Sequence, residues 1–366
     1  VRVMITGGGT GGHIYPALAM ARTIRKHNPA AEILFVGAVG GMEEKIVPAA
    51  GFSLETLPVK GFSRRKLLQA FPTLFLLVRS WRRAHALMRR FRPDLVFGTG
   101  GFASAPALLA ALAGKKRVII HEQNLVPGVT NRFLAPWVDH VCLSFEASKK
   151  YYRKQSNLVV TGNPRASEMV DLQKAAAREG LKLHQEMPLL LACGGSRGAA
   201  RINQCMVEYL EQTDKFREMQ VLYITGEIYY DQVTARLCQN RVFEKFAGHL
   251  TVKAYLEEMP LALAAADLVI CRAGATTLAE ITALGVPAIL IPSPHVVHDH
   301  QRVNALALAE AQAAVMLEEK DLHTGAFKDQ VDDLLFDPLA RKKLSLNSRM
   351  LGKPDAAEQI FALMVS

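Results

Sequence analysis

The chain has 366 residues, half of them hydrophobic and 21% charged, a globular composition that excludes a disordered or collagen-like polymer. It carries 44 Lys+Arg against 34 Asp+Glu, a formal charge of +10, which predicts an anionic partner without naming one. No apolar run approaches the roughly 18 residues of a membrane span, VRVMITGGG lacks the features of a signal peptide, and the 5 scattered cysteines fit a reducing cytoplasm.

VRVMIT reads as a strand and Gly12 to His27 as a helix. EILFVG is a second strand, with a helix following near residues 42–50. Residues 56–93 then hold Lys60, Arg64, Arg65, Lys66, Arg79, Arg82, Arg83, Arg89, Arg90 and Arg92 and no acidic residue, so the charge excess is local. Phe71, Phe75, Val78 and Trp81 recur there at helical spacing, with Pro72 suited to a first turn. One reading is an amphipathic helix packed on a sheet. The other is an interfacial helix on anionic lipid, where each Lys or Arg contributes about 1 kcal/mol.

DLVFG, RVIIHE, HVCLS and NLVV continue the strands, and the turn-rich TGNPRAS closes the first set. PLLLACGG opens a second set, with a helix from Ala200 to Leu210 and strands at VLYIT, LTVKAY, DLVICR and PAILIP. From about Lys320 the chain is helical and charged. Alternating strands and helices predict parallel sheets covered by helices. The halves echo one another. Asp94-Leu95-Val96 precedes Gly101 as Asp267-Leu268-Val269 precedes Gly274, and a glycine loop follows the first strand of each. The expected fold class is α/β, two Rossmann-like domains facing across a cleft. The expected spans are 1–163, 164–340 and 341–366, the last packing back on the first.

Gly7 to Gly12 satisfies G-x-G-x-x-G, but EILFVG ends in Gly37-Ala38 with no acid to hold a nicotinamide-cofactor ribose, and no Walker A lysine follows. A backbone N–H nest or a tight turn remains. His13 at the helix start is a candidate general base. Gly194-Gly195-Ser196 suits a phosphate. Arg272 to Glu280 offers a strand end, a helix N-terminus with Thr276 and Thr277, and one acid a turn later. Phosphate donors with a single acid favour a nucleotide diphosphate. Pro294 to Gln301 holds three His and an Asp. A loop without Cys reads better as a sugar-binding loop than as a metal site. No Asp-x-Asp occurs, so no metal or other cofactor is expected, and helix N-termini would stabilise the leaving diphosphate.

GGGTGGHIYPALA (7–19), GTGGFASAPALLAA (98–111), HEQNLVPGVTNRFLA (121–135), TGNPR (161–165), GGSRGAARIN (194–203), CRAGATTLAEITALGVPAILIPSP (271–294) and DHQRVNA (299–305) together resemble the MurG family of bacterial peptidoglycan glycosyltransferases. The resemblance implies a GT-B fold. It implies inverting transfer of N-acetylglucosamine (GlcNAc) from UDP-GlcNAc to lipid I, giving lipid II, at the cytoplasmic face of the membrane. It implies that Ser196 lies near the diphosphate, Tyr255 and Leu256 at the uracil, and Ala275, Thr276 and Thr277 at sugar and phosphate. Leu278 and Ala279 continue that segment, Glu280 meets the ribose, and His300 and Gln301 meet the GlcNAc hydroxyls. Thr10, Gly11, Gly12, Asn124 and Arg165 match further substrate contacts, and His13 matches the proposed base. Implied partners are UDP-GlcNAc, lipid I, an anionic membrane surface and other cell-wall and division proteins, with no nucleic acid. Membrane contact falls to Phe71, Phe75, Val78, Arg79, Trp81, Arg82 and Arg83. The competing expectations are another GT-B enzyme, such as a UDP-GlcNAc 2-epimerase or glycolipid synthase, and a basic nucleic-acid-binding protein.

Overall fold

The computed structural model describes residues 1–59, 70–153, 155–195, 198–296, 299–322 and 324–366, with side chains at those positions except 70–77 and 324. The chain forms two compact units, Val1–Glu168 with Lys353–Ser366, and Met169–Gly352. The division follows Glu168 rather than residue 163, and the helix Pro338–Leu351 belongs to the second unit.

The first unit holds a seven-stranded parallel sheet. Its strands are β1 (Arg2–Gly7), β2 (Glu32–Ala38), β3 (Ser53–Leu57), β4 (Leu95–Gly100), β5 (Arg117–Glu122), β6 (His140–Leu143) and β7 (Leu158–Val160), in the order β3-β2-β1-β4-β5-β6-β7. The second holds β8 (Leu189–Cys193), β9 (Gln220–Ile224), β10 (Leu250–Lys253), β11 (Leu268–Cys271), β12 (Ala288–Leu290) and β13 (Val315–Met316), in the order β10-β9-β8-β11-β12-β13. Each is a doubly wound α/β sheet. The central strands are apolar throughout because both faces are covered. Val3 and Ile5 pack under the helix Gly11–His27, and Met4 faces the opposite core with Val96 and Leu108. That helix buries Ile14, Ala17, Leu18, Ala21 and Ile24 at helical spacing. Fully burying Ile14 or Leu18 contributes about 1.5–3 kcal/mol. The edge strands β3 and β13 escaped the sequence reading. SLETL and VM are short, and β3 is largely half-buried, so neither shows a sustained apolar run.

The repeated Asp-Leu-Val has a structural cause. The Asp94 carboxylate accepts the Arg2 N–H at 2.8 Å, tying the start of β4 to β1. The Asp267 carboxylate accepts the Leu189 N–H at 2.7 Å, tying the start of β11 to β8. In each sheet the aspartate fixes the two strands on either side of the point where strand order reverses.

The C-terminal helix Ala356–Val365 completes the first unit. Ala357, Ile360 and Met364 join the core under β1 and β2. Arg117 at the start of β5 donates to the carbonyls of Leu363 at 2.7 Å and Met364 at 3.2 Å, satisfying groups that a helix C-terminus leaves open.

The basic segment contains the helix Ala70–Phe91. Its later part buries Ala84, Leu87 and Met88 against the sheet, as an ordinary packed helix would. Val78, Arg79, Trp81, Arg82 and Arg83 are exposed. Phe71 and Phe75 carry side chains outside the description. Glu55 on β3 pairs with Arg90 and lies 3.8 Å from Arg83, so part of the positive charge is balanced within the unit.

Candidate active site

In the first sheet the strand order reverses between β1 and β4, and their carboxyl ends open side by side. Parallel α/β sheets bind ligands at this position. Two glycine loops leave it, Gly7–Gly12 and Gly100–Gly101. Gly9, Gly100 and Gly101 have φ of 82°, 88° and 81°, a region that favours glycine. A Cβ on Gly101 would stand 2.8 Å from the Gly8 carbonyl and 3.1 Å from the His13 ring, so the loops approach closely only without one.

His13 sits in the first turn after the N-cap Thr10. Its Nδ1 lies 2.8 Å from the Thr99 carbonyl oxygen, and Thr99 Oγ1 donates back to the His13 carbonyl at 2.8 Å. A carbonyl oxygen only accepts, so this contact assigns the proton to Nδ1. The neutral ring then keeps its lone pair on Nε2. Gln123 Nε2 donates to the same Thr99 carbonyl at 2.8 Å and holds it in place. The arrangement can orient a neutral imidazole as a base.

Under the first loop lies a residue that sequence reasoning missed. Glu43 is fully buried. Its Oε1 accepts the Ala38 N–H at 2.8 Å and its Oε2 accepts the Gly9 N–H at 3.1 Å. A Cβ on Gly8, Gly37 or Gly41 would fall 2.1 to 2.5 Å from this side chain. The signal was GAVGGMEE, an acid among glycines that leave room for it. Spacing alone reads it as a solvated acid in a helix first turn.

Asn124 is half-buried, and its backbone N–H donates at 3.0 Å to Glu122, itself buried and held also by the Gly128 N–H and Asn131 Nδ2. Burial pushes the His121 imidazole down to about 4, against the opposing pull of its hydrogen bond to the Gly162 carbonyl, so His121 is neutral and structural at pH 7. Thr10 and Gly12 are exposed, and Gly11 is half-buried against Tyr15. Arg165 is buried in the turn Pro164–Glu168, paired with Glu168 and 5.2 Å from the centre of the Tyr15 ring. Thr10, Gly11, Gly12 and His13 therefore share one helix N-terminus, whereas Arg165 is engaged within the unit.

The second unit repeats the plan. Strand order reverses between β8 and β11. Gly194-Gly195 follows β8; Ser196 lies outside the described residues. After β11, Gly274 caps the helix Ala275–Leu284, whose first turn directs backbone N–H groups and a positive dipole end outward at the strand ends. Thr276, Thr277 and Ala279 are half-buried, while Ala275 and Leu278 are buried, so Leu278 offers a ligand only its backbone. Glu280 is nearly buried. Its charge raises the thiols of Cys193 and Cys271, at the ends of β8 and β11, though burial is the larger cause; Cys193 reaches about 12.

Arg272 donates to the carbonyls of Ile291 at 3.0 Å and Pro292 at 3.2 Å and pairs with Glu319, bracing the loop that leads to Gln301. Gln301 Oε1 accepts the Ser293 N–H at 2.9 Å, which fixes its amide. His300 opens the helix His300–Glu310 behind Asp299, a non-glycine with φ of 51°. Tyr255 is exposed and Leu256 buried on the loop after β10.

The glycosyltransferase family 28 N-terminal domain matches residues 3–143, and the family 28 C-terminal domain matches residues 189–360. The chain is 42% identical over 364 residues to a UDP-N-acetylglucosamine--N-acetylmuramyl-(pentapeptide) pyrophosphoryl-undecaprenol N-acetylglucosamine transferase of Bacillus thuringiensis, covering 100% of this chain and 98% of that protein. The chain belongs to the MurG family. Among solved structures, Acinetobacter baumannii MurG superposes with a TM-score of 0.75 at 26% identity, over 99% of this chain and 98% of that one. A UDP-GlcNAc 2-epimerase from Neisseria meningitidis gives 0.71 at 14% identity over 100% of each chain, a likeness of fold alone. GT-B architecture is therefore common to MurG and epimerase, and sequence identity separates them. Among the described residues no helix is long and apolar enough to cross a membrane.

Proposed function

We propose that this MurG-family chain transfers GlcNAc from UDP-GlcNAc to the 4-hydroxyl of MurNAc on lipid I, giving lipid II. The observation that carries the reading is His13, anchored through Nδ1 to the Thr99 carbonyl at the reversal point of the first sheet. In the reaction His13 Nε2 takes the proton of the 4-hydroxyl as its oxygen bonds to the anomeric carbon. The bond from that carbon to the diphosphate breaks, and UDP leaves from the opposite face. The α-linked donor gives a β(1→4) product. The N-terminus of the helix Ala275–Leu284, with Thr276 and Thr277, stabilises the departing charge, and no metal is needed. Glu280 accepts the ribose hydroxyls, Tyr255 and Leu256 meet the uracil, and Gln301 and His300 meet the sugar. Thr10, Gly11, Gly12 and Asn124 supply further substrate contacts. The exposed Val78, Trp81, Arg79, Arg82 and Arg83 rest on the anionic cytoplasmic leaflet.

The decisive experiment is transfer of labelled GlcNAc to a lipid I analogue with and without chelator. Lipid II formed equally in both supports the reading. Turnover of UDP-GlcNAc alone to its 2-epimer would replace it with the epimerase reading. Product lost on chelation would overturn the metal-free step. For the donor site, Glu280→Ala should weaken UDP-GlcNAc binding by about 10- to 100-fold, the loss of one or two hydrogen bonds to a charged group. Calorimetry showing unchanged affinity would remove Glu280 from the ribose.

A further inference from the structure

The helix Val129–Leu134 and the 3₁₀ turn Ala135–Trp137 that continues it have a covered and an uncovered face. Asn131, Leu134, Ala135 and Val138 are buried. Val129, Phe133 and Trp137 are 64%, 60% and 60% exposed. They stand four residues apart and so follow one side of the element. The Phe133 and Trp137 rings touch, with centroids 5.3 Å apart. Single exposed apolar side chains are ordinary, but a run of three with two aromatics marks an interaction surface.

Its neighbours point to a lipid surface. Arg132 is exposed beside Phe133, no acidic residue occurs from Gln123 to Val138, and the exposed Asp139 that follows is engaged by the Val118 N–H at 2.7 Å. The turn Glu146–Tyr151, which Ser148 Oγ ties to the Asn124 carbonyl at 3.3 Å, pairs its exposed Glu146 with Lys149 at 2.8 Å and leaves Lys150 exposed as its net positive charge. Thr130 Oγ1 donates at 3.4 Å to the carbonyl of Gly101, on the loop that lies against the His13 ring. Phe102, 42% exposed, follows on that loop. Tryptophan with aliphatic and cationic neighbours suits the boundary between acyl chains and headgroups.

We propose that Val129, Phe133 and Trp137 form a membrane contact of their own, entering the headgroup boundary of an anionic bilayer while Arg132 pairs with lipid phosphate. The inference rests on the membrane reading above and extends it to residues outside the basic segment. It sets the His13 loop at the lipid surface, where a lipid-linked sugar emerges.

The chain contains only 2 tryptophans, Trp81 and Trp137, one on each surface. In Trp81→Phe, Trp137 is the sole emitter; in Trp137→Phe, Trp81 is. Both are exposed aromatic exchanges, and circular dichroism checks their folding. Each variant is mixed with phosphatidylglycerol vesicles carrying dibrominated acyl chains. Trp137 emission should shift to the blue and fall at least about twofold, and adding Phe133→Ser should lower vesicle affinity by about tenfold. Unquenched Trp137 beside quenched Trp81 would overturn this inference and leave the basic helix on the membrane. Quenching of neither would sink both. A blue shift of Trp137 that grows with protein concentration without vesicles, together with a dimer in sedimentation, would overturn it in favour of pairing between two copies.

Discussion

His13→Ala should transfer GlcNAc about 10²–10⁴-fold more slowly than the parent chain, the usual contribution of a positioned general base. The expected loss lies in kcat, with UDP-GlcNAc affinity by calorimetry nearly unchanged, because the residues proposed for uracil, ribose and GlcNAc belong to the second unit. The prediction rests on one hydrogen bond. With Nδ1–H donated to the Thr99 carbonyl, only Nε2 can accept a proton. Thr99 presents that carbonyl from the end of β4, and Gln123 shares it, so the ring is aimed before any substrate arrives. His13→Gln, which can still donate to Thr99, should be slowed to a similar extent. Turnover within a few-fold of the parent in either variant would take His13 out of the proton transfer.

The second large effect is on stability. Asp267→Ala should destabilise the second unit by about 3–5 kcal/mol, because it strands a buried cation. Arg178 is 3% exposed, and its Nη2 lies 2.6 Å from the Asp267 carboxylate. Asp267 also accepts the Leu189 N–H and pairs with Lys174 at 2.5 Å. The counterpart Asp94 is exposed and bonds the Arg2 N–H, so Asp94→Ala should cost about 0.5–1.5 kcal/mol. Both tryptophans lie in the first unit, so their fluorescence reports that unit. Urea unfolding followed by circular dichroism should show the Asp267→Ala loss, while the tryptophan transition stays nearly in place. Equal, small shifts for the two variants would refute the argument. The pH dependence has a definite sign. Burial would raise the Asp267 carboxyl, but Lys174, the Leu189 N–H and Arg178 hold it below its ordinary value. Its contribution is therefore complete above the unfolded value near 4 and is lost as pH falls through the lower folded value. The gap between parent and variant should close in that acid range and stay constant near neutrality.

Both parallel sheets were legible in the sequence because their central strands are continuous apolar runs between helical stretches. The Asp-Leu-Val repeat was legible as a repeat, but its meaning was not. A carboxylate binding the first residue of a neighbouring strand leaves no trace in local pattern. His13 could be picked out by its place after a glycine loop, whereas its anchor, a backbone carbonyl 86 residues away, could not. Glu43 was hidden for the opposite reason: acids in a first helical turn are normally solvated, and only the fold packs glycines around this one. Val129, Phe133 and Trp137 show the limit of periodicity. Spacing says that three residues share a face, not whether anything covers it.

The helix Ala356–Val365 bears on the order in which the molecule is made. It supplies Ala357, Ile360 and Met364 to a core whose other members are encoded before Glu168. A ribosome must therefore synthesise all of Met169–Gly352 before the first unit can close. Until then Val3, Ile5, Ile14 and Leu18 lack the cover that Ala357, Ile360 and Met364 later bring to their shared core.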